Sequence, residues 1–467
     1  MKSRPVITEK SFYKFLKCPN WLYKKWHSAE EDQQALLAKL QTDGLLRKSE
    51  LSLLTDREVT EVDLDDMDEA AQRTVELMKQ GVQTIYRGAL IHEHYVARPD
   101  VLERVEGESE FGDWYYIACD IKRSSRVKDE YKMEGAFYAM LLQRIQGLRP
   151  VNGYVIFSDQ RVENYLIADV FVNFRLTLDD IEDIFEGKKP KHFLTSGYKQ
   201  SPHFDEFVEE VKACDHLSLL NRVWRSEVYA LEDAGIATVE ALANTKMEDL
   251  KKVNGVTMDR LYFLQQQAIS MKDGRVIRVG DIELPEEIGP VLIVDIESDP
   301  MRDLHYLFGV LVVEGEKQVY HQFLAKTPEE EQAAWEAFTA FVENYPTANL
   351  YHYGWYEVDV FRRLVEKYGA SDAAQEMFAE RMIDLLRYLR GSVIFPSPFY
   401  SLKDIAKHLG FAWRIHDASG LDSVLWYHKW LDEGDKVALQ DTIEYNEDDV
   451  RATWYVREWV MKNLVNE

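Results

Sequence analysis

Cysteine is scarce in this chain of 467 residues: Cys18, Cys119 and Cys214 stand about a hundred positions apart. That spacing leaves no CxxC pair for zinc and no disulfide framework, so the thiols read as structural. Glycine and proline, 23 and 13 residues, are too few for a linker-rich or fibrous protein. No apolar run approaches the roughly 18 residues of a membrane span, and Met1-Lys2-Ser3-Arg4-Pro5 lacks the apolar core of a signal peptide. A cytoplasmic protein without membrane contact is expected. Positive charge is also short: 56 Lys and Arg against 82 Asp and Glu leave a net charge of −26. Such a chain repels polyanions at long range. Any nucleic-acid binding must then use local basic patches or metal ions that neutralise carboxylates.

Apolar material is plentiful, at 46% hydrophobic and 12% aromatic residues, and the length predicts about three domains. The first 55 residues read as amphipathic helices, and the acid run from Asp56 to Glu69 as a solvated loop. From Thr84 short β-rich runs alternate with turns, and a helix is expected from Tyr131 to Gln146, giving an α/β domain over residues 1–212. Residues 213–275 suggest two short helices around a glycine-containing turn, repeated once. A linker rich in Gly and Pro leads into a third domain, 276–467, whose strands precede its helices and predict a mixed sheet.

That domain opens with Val291-Leu292-Ile293-Val294-Asp295-Ile296-Glu297. Residues i and i+2 of a strand share a face, so two carboxylates meet at the end of a buried strand. Divalent Mg²⁺ or Mn²⁺ would offset their repulsion. In Tyr445-Asn446-Glu447-Asp448-Asp449, Tyr445 and Asp449 lie four apart and share one helix face. These residues resemble the first and third motifs of the DEDD 3′–5′ exonucleases of the tyrosine subtype, which have a ribonuclease H-like fold. The resemblance implies that Asp295, Glu297 and Asp449 hold two metal ions and that Tyr445 orients the attacking water. Where the family's middle motif has Asp, this chain has Glu357, with Asp359 two residues on and roughly 200° around a helix. Only one of the two can face the metals, and Glu357 is favoured. Asp384-Leu385-Leu386 and Ser401-Leu402-Lys403 also agree with the subtype, Lys403 as a candidate phosphate contact.

Earlier in the chain, Asp120-Ile121-Lys122 closes a hydrophobic strand, and Asp100 stands one strand before it. Two acids that hold a divalent ion, with a lysine that stabilises developing charge, form a hydrolytic set. It resembles the RecB-type PD-(D/E)xK nucleases, implying catalytic and metal roles for Asp100 and Asp120 and a catalytic role for Lys122. That family's helix motif, Gln-x-x-x-Tyr, here reads Glu134 to Tyr138, with Tyr138 as a candidate nucleic-acid contact. Arg123, Arg126 and Lys128 form a candidate phosphate track, and Glu50, His92 and His94 are candidate extra ligands. Some relatives carry a four-cysteine iron–sulfur cluster; three cysteines cannot supply it, and none is expected.

The segment 213–275 resembles tandem helix-hairpin-helix modules, which offer hairpin amides to DNA phosphates. The whole order resembles RecB-like nucleases with a C-terminal ribonuclease H-like domain. It implies a metal-dependent nuclease acting on DNA: the C-terminal domain trims 3′ ends, and the N-terminal domain binds or cuts DNA with one or two ions of its own. Two alternatives stay open. One is an exonuclease on RNA with only the C-terminal site active; the other is a nucleic-acid-binding scaffold with degenerate sites. Nothing in the sequence identifies a protein partner.

Overall fold

Alternating apolar residues and glycine turns produce, among the described residues, two large mixed sheets lined by helices and two smaller sheets. The computed structural model describes residues 6–27, 58–122, 126–157, 160–300, 302–416 and 418–465. Glu50, Arg123 and the expected N-terminal helices beyond residue 27 lie outside the described residues. The chain forms two compact units, Met1–Ala213 and Cys214–Glu467, and the fold is α/β with several domains.

In the first unit, β1 (Ile7–Thr8), β4 (Leu90–His92) and β5 (Tyr95–Ala97) form a small sheet in the order β1-β5-β4. A six-stranded sheet is ordered β2 (Val59–Glu61), β3 (Thr84–Tyr86), β6 (Val101–Ser109), β7 (Gly112–Lys122), β8 (Asn152–Phe157), β9 (Val162–Leu166). Tyr116 and Ala118 of β7 pack in one core with Phe137, Met140 and Leu141 of the helix Asp129–Gln146, and Ile117 and Cys119 in another. By strand alternation Asp120 and Lys122 continue the helix-covered face of Tyr116 and Ala118.

The acid run departs from its expected loop. Val59-Thr60-Glu61 pairs in parallel with β3, and Asp66 caps the helix Met67–Gln80, accepting from the amides of Asp68 and Glu69 at 3.0 Å. Acids in a first helical turn complement the positive end of the helix dipole, so this run ends in a helix start.

The second unit begins with the helices Arg225–Asp233, Val239–Asn244, Met247–Leu250 and Met258–Asp273. Gly235 and Gly255, with φ of +82° and +81°, make the turns before the second and fourth helices, a conformation that costs a side-chain-bearing residue more. Beyond a short pair of β10 (Ile277–Arg278) and β16 (Val393–Ile394) lies a five-stranded sheet. Its order is β13 (Lys317–Leu324), β12 (Leu304–Glu314), β11 (Val291–Asp299), β14 (Leu350–His352), β15 (Met382–Asp384). β11, β12 and β13 are antiparallel neighbours; β14 and β15 run parallel to β11. Leu292, Val294 and Ile296 pack in a core with Trp335 and Phe338, while Val291 and Ile293 pack with Tyr445, Val450 and Val456 of the long helix Lys436–Val460. Two residues past Ile293, Asp295 continues the face that this helix covers.

Candidate metal centre

Strand and helix periodicity together build the C-terminal site. Asp295 and Glu297 project from β11 before a register shift at Glu297/Ser298, and the helix Lys436–Val460 brings Asp449 against them. One ligand oxygen from each of the three lies within 4.8 Å of the others, the arrangement needed to hold a cation. The helix sorts its acids by face. Asp448 accepts from the backbone and Nε of Arg414 at 2.7 and 2.8 Å, and Glu447 pairs with Arg414 and Arg451. Only Asp449 points inward, held by Trp413 Nε1 at 2.6 Å and by the Tyr445 hydroxyl.

Asn446 ties the two elements together. Its Nδ2 donates to Asp295 Oδ2 at 2.8 Å and reaches Glu297 Oε1 at 3.5 Å, while its Oδ1 accepts from Tyr320 at 2.8 Å. Asp295 pairs across the ladder with Gly309 of β12, and a Cβ there would stand 1.7 Å from Asn446 Oδ1. Glycine is needed for that close approach. Ser423 hydrogen-bonds Glu297 from the helix Gly420–Glu433. Gly309, Trp413 and Ser423 lie outside the sequence motifs that point to this site, and Asn446 stands within the third motif segment at a position to which the motif gives no role.

The charges in this cluster are costly. Burial, then Asp449, Glu297 and Glu357, raise the pKa of Asp295 well above the carboxylate range. Burial and Asp449 raise Glu297, against Ser423 and Asn446, and burial raises Asp449 against Trp413, Lys403 and Tyr445. Burial and the neighbouring acids also raise the Tyr445 phenol, so it stays protonated and able to donate. Lys403, on the helix Leu402–Leu409, donates to Ala418 O and lies 4.5 Å from the Tyr445 ring centroid. Burial lowers its pKa although Asp449 and Glu297 favour its charge.

Glu357 and Asp359 part ways on the helix Tyr356–Tyr368. Glu357 is buried beside His352, Nδ1 to Oε2 3.4 Å, and that oxygen has no hydrogen-bond partner among the described residues. Asp359 pairs with Arg362 and Arg363 at 2.7 and 3.4 Å. Mutually repelling acids and an orphaned carboxylate oxygen fit divalent cations, with Asp295, Glu297, Asp449 and Glu357 as the residues that would hold them. Glu357→Ala is expected to lower metal-dependent turnover at least about tenfold, with Asp359→Ala within about twofold of wild type. The reverse order in a steady-state assay would move the ligand to Asp359. Asp384 instead caps the helix Leu385–Leu389 and accepts from Gly354 N at 3.0 Å.

Residues 292–461 match the RNase_H_2 family of the RNase H superfamily. The C-terminal domain is ribonuclease H-like. A search of curated proteins finds no match. A ribonuclease H-like domain with this acidic cluster points to a nuclease and to a nucleic-acid substrate. Among the described residues no helix is long and apolar enough to cross a membrane.

The first unit brings together most of its sequence-derived set, but with its charges paired. Lys122 Nζ lies 3.0 Å from Asp120 and 2.7 Å from Glu134, and Tyr138 Oη donates to Asp120 at 3.3 Å. Asp100 Oδ2 accepts from the Ile121 amide at 2.7 Å. Burial opposes the charge of Lys122, but Asp120, Glu134 and Asp100 outweigh it and raise its pKa; burial also raises Glu134. Glu9, which no motif marks, starts the helix Glu9–Lys17; its carboxyl is raised by burial and feels the charges of Asp120 and Lys122. Arg126 and Lys128 are exposed, and Lys128 lies 5.7 Å from the Tyr131 ring centroid. Cys18 and Cys119 are buried, and burial pushes the Cys18 thiol up to about 12. His94 stacks on Phe185 at 5.1 Å, and His92 ends β4.

Proposed function

We propose that the protein is a metal-dependent nuclease whose ribonuclease H-like domain trims DNA from 3′ ends with Mg²⁺ or Mn²⁺. The observation that carries this reading is the convergence of Asp295, Glu297 and Asp449 within 4.8 Å, beside the Tyr445 hydroxyl. Bound divalent ions would supply an activated water and neutralise the leaving oxygen. The chain's own residues do the rest. Tyr445, protonated and fixed by Asp449, is suited to orient the attacking water. Lys403 brings a cation to the substrate side of the carboxylates, and Asn446 fixes the direction of the Asp295 oxygen.

We assign residues 1–212 to a PD-(D/E)xK-like domain, 213–275 to a helix-hairpin-helix region and 276–467 to the exonuclease domain, in a cytoplasmic protein. The N-terminal domain binds or cuts DNA, with Asp100 and Asp120 as metal ligands, Lys122 near the scissile phosphate, and Arg123, Arg126 and Lys128 along the nucleic-acid strand; Tyr138, buried in the core with its hydroxyl on Asp120, positions that carboxylate and does not contact DNA. The pairing of Lys122 with both Asp120 and Glu134 favours a second reading in which this domain binds and only the C-terminal site cuts. Lys122→Ala in an Asp295→Asn background separates the two: loss of residual internal cutting supports a second active site, and unchanged cutting rejects Lys122 as its source.

The direct test of the main reading uses matched DNA and RNA oligonucleotides labelled at either end, with Mg²⁺ or Mn²⁺. A ladder shortening from the 3′ end of DNA is expected. Preferential RNA trimming would assign the substrate to RNA, and intact strands that remain bound would favour the scaffold.

A further inference from the structure

In addition to the carboxylate cluster, the second unit contains a cleft of about 410 Å³ lined by basic and aromatic side chains and by no acid. Arg222, Arg260 and Arg390 line it together with Trp224, Phe263 and Tyr400. Arg260 is committed: its Nε and Nη2 reach Glu227 at 2.7 and 3.0 Å, and Nη2 also donates to Arg222 O at 2.7 Å. One acid thus balances one of three guanidinium groups. Arg222 and Arg390 are exposed and form no ion pair among the described residues, leaving the cleft cationic. Arg222 holds a φ of +54°, an uncommon conformation for a side-chain-bearing residue, and the Arg260 bond pins it there.

Two further observations narrow the ligand. Trp224 is 64% exposed, an indole face open to a flat ring. Gln267 is only 3% exposed; its Nε2 donates to Asn221 O at 3.1 Å, yet its buried Oε1 has no hydrogen-bond partner among the described residues. A buried amide oxygen wants a donor. A ligand with an anionic group for the arginines, a flat ring for the indole and an N–H or O–H for Gln267 is a nucleotide. The cleft and the carboxylates are joined by one short stretch of chain. Tyr400 lines the cleft, and three residues on, Lys403 lies in the field of Asp449 and Glu297. Chain reach limits the Tyr400 and Lys403 Cα atoms to roughly 11 Å apart.

We propose that this cleft holds one nucleotide of a single strand whose end lies at the ribonuclease H-like site, its phosphate on Arg222 and Arg390, its base against Trp224, and a base or sugar donor on Gln267. The proposal rests on the nucleic-acid reading of that domain, and its test is independent of cutting. Fluorescein-labelled oligothymidylate is titrated into the full chain in EDTA, where no metal-dependent hydrolysis occurs. Arg222→Ala with Arg390→Ala is expected to lower the salt slope of log affinity by roughly 0.7 for each phosphate that is no longer neutralised. Trp224→Ala is expected to weaken binding at least about fivefold. All three side chains are exposed or rim groups, so these variants keep the fold. Affinity and slope unchanged in both variants would overturn the proposal. Thymidine monophosphate that binds as tightly as the strand would also overturn it, marking a site for free nucleotide. Hydrolysis of the p-nitrophenyl ester of thymidine monophosphate reports the carboxylate site alone. If wild type fails there while strand binding still needs the arginines and Trp224, the nuclease reading falls and the cleft stands.

Discussion

Asp295→Asn and Asp449→Asn should each lower metal-dependent 3′ trimming at least about a thousandfold. Both carboxylates sit in the three-residue cluster, and an amide cannot supply the charge that a divalent ion requires. The same substitutions should not unfold the protein. In the metal-free state burial and neighbouring acids raise the folded-state pKa of Asp295, so its ionisation opposes folding. That cost is absent below the unfolded value of about 3.9 and grows as pH rises above it towards the folded-state value. Asp295→Asn removes it, and in EDTA at pH 8 the variant should melt above wild type. Added Mn²⁺ should raise the melting temperature of wild type and leave that of the variant nearly unmoved. Trimming retained by both purified variants would remove the cluster from catalysis.

Gly309→Ala is the second large effect expected, although Gly309 bears no functional group. It lies opposite Asp295 in the ladder, and its missing side chain is the space occupied by Asn446. A methyl group 1.7 Å from Asn446 Oδ1 must displace that amide, breaking its bonds to Asp295 and Tyr320. Overpacking of this kind costs about 1–3 kcal/mol. Loss of the outer support for a metal ligand costs a further factor of about 10–100 in activity. Adding Gly309→Ala to Asn446→Ala should cost little more than Asn446→Ala alone, because both act on the same pair of neighbours. Full additivity in turnover and melting temperature would show that Gly309 acts through something other than Asn446.

The pairings that strand and helix periods dictate were legible in the sequence. Asp295 with Glu297 follows from a period of two, and Tyr445 with Asp449 from a spacing of four, and both pairs meet in the fold. Periodicity also separates Asp449 from Asp448, which turns to Arg414. What a period cannot give is the partner across the fold. Asn446 stands beside Tyr445 in the sequence, but its meaning depends on β11, 151 residues earlier, and on a gap in β12. Trp413, Ser423 and Glu9 are illegible for the same reason: each comes from an element with no motif of its own. The run from Asp56 to Glu69 misleads because charge density looks alike in a solvated loop and in a first helical turn. Asp66 distinguishes them only through the amides that it caps.

The central claim is that the Asp295, Glu297 and Asp449 carboxylates are a metal centre. The most direct measurement is anomalous scattering from crystals of the full chain grown with Mn²⁺, recorded for wild type and Asp295→Asn. Strong manganese peaks within coordination distance of Asp295, Glu297 and Asp449 in wild type, absent or weakened in the variant, are the predicted result. Manganese bound elsewhere, with these three carboxylates free of it, would contradict the account.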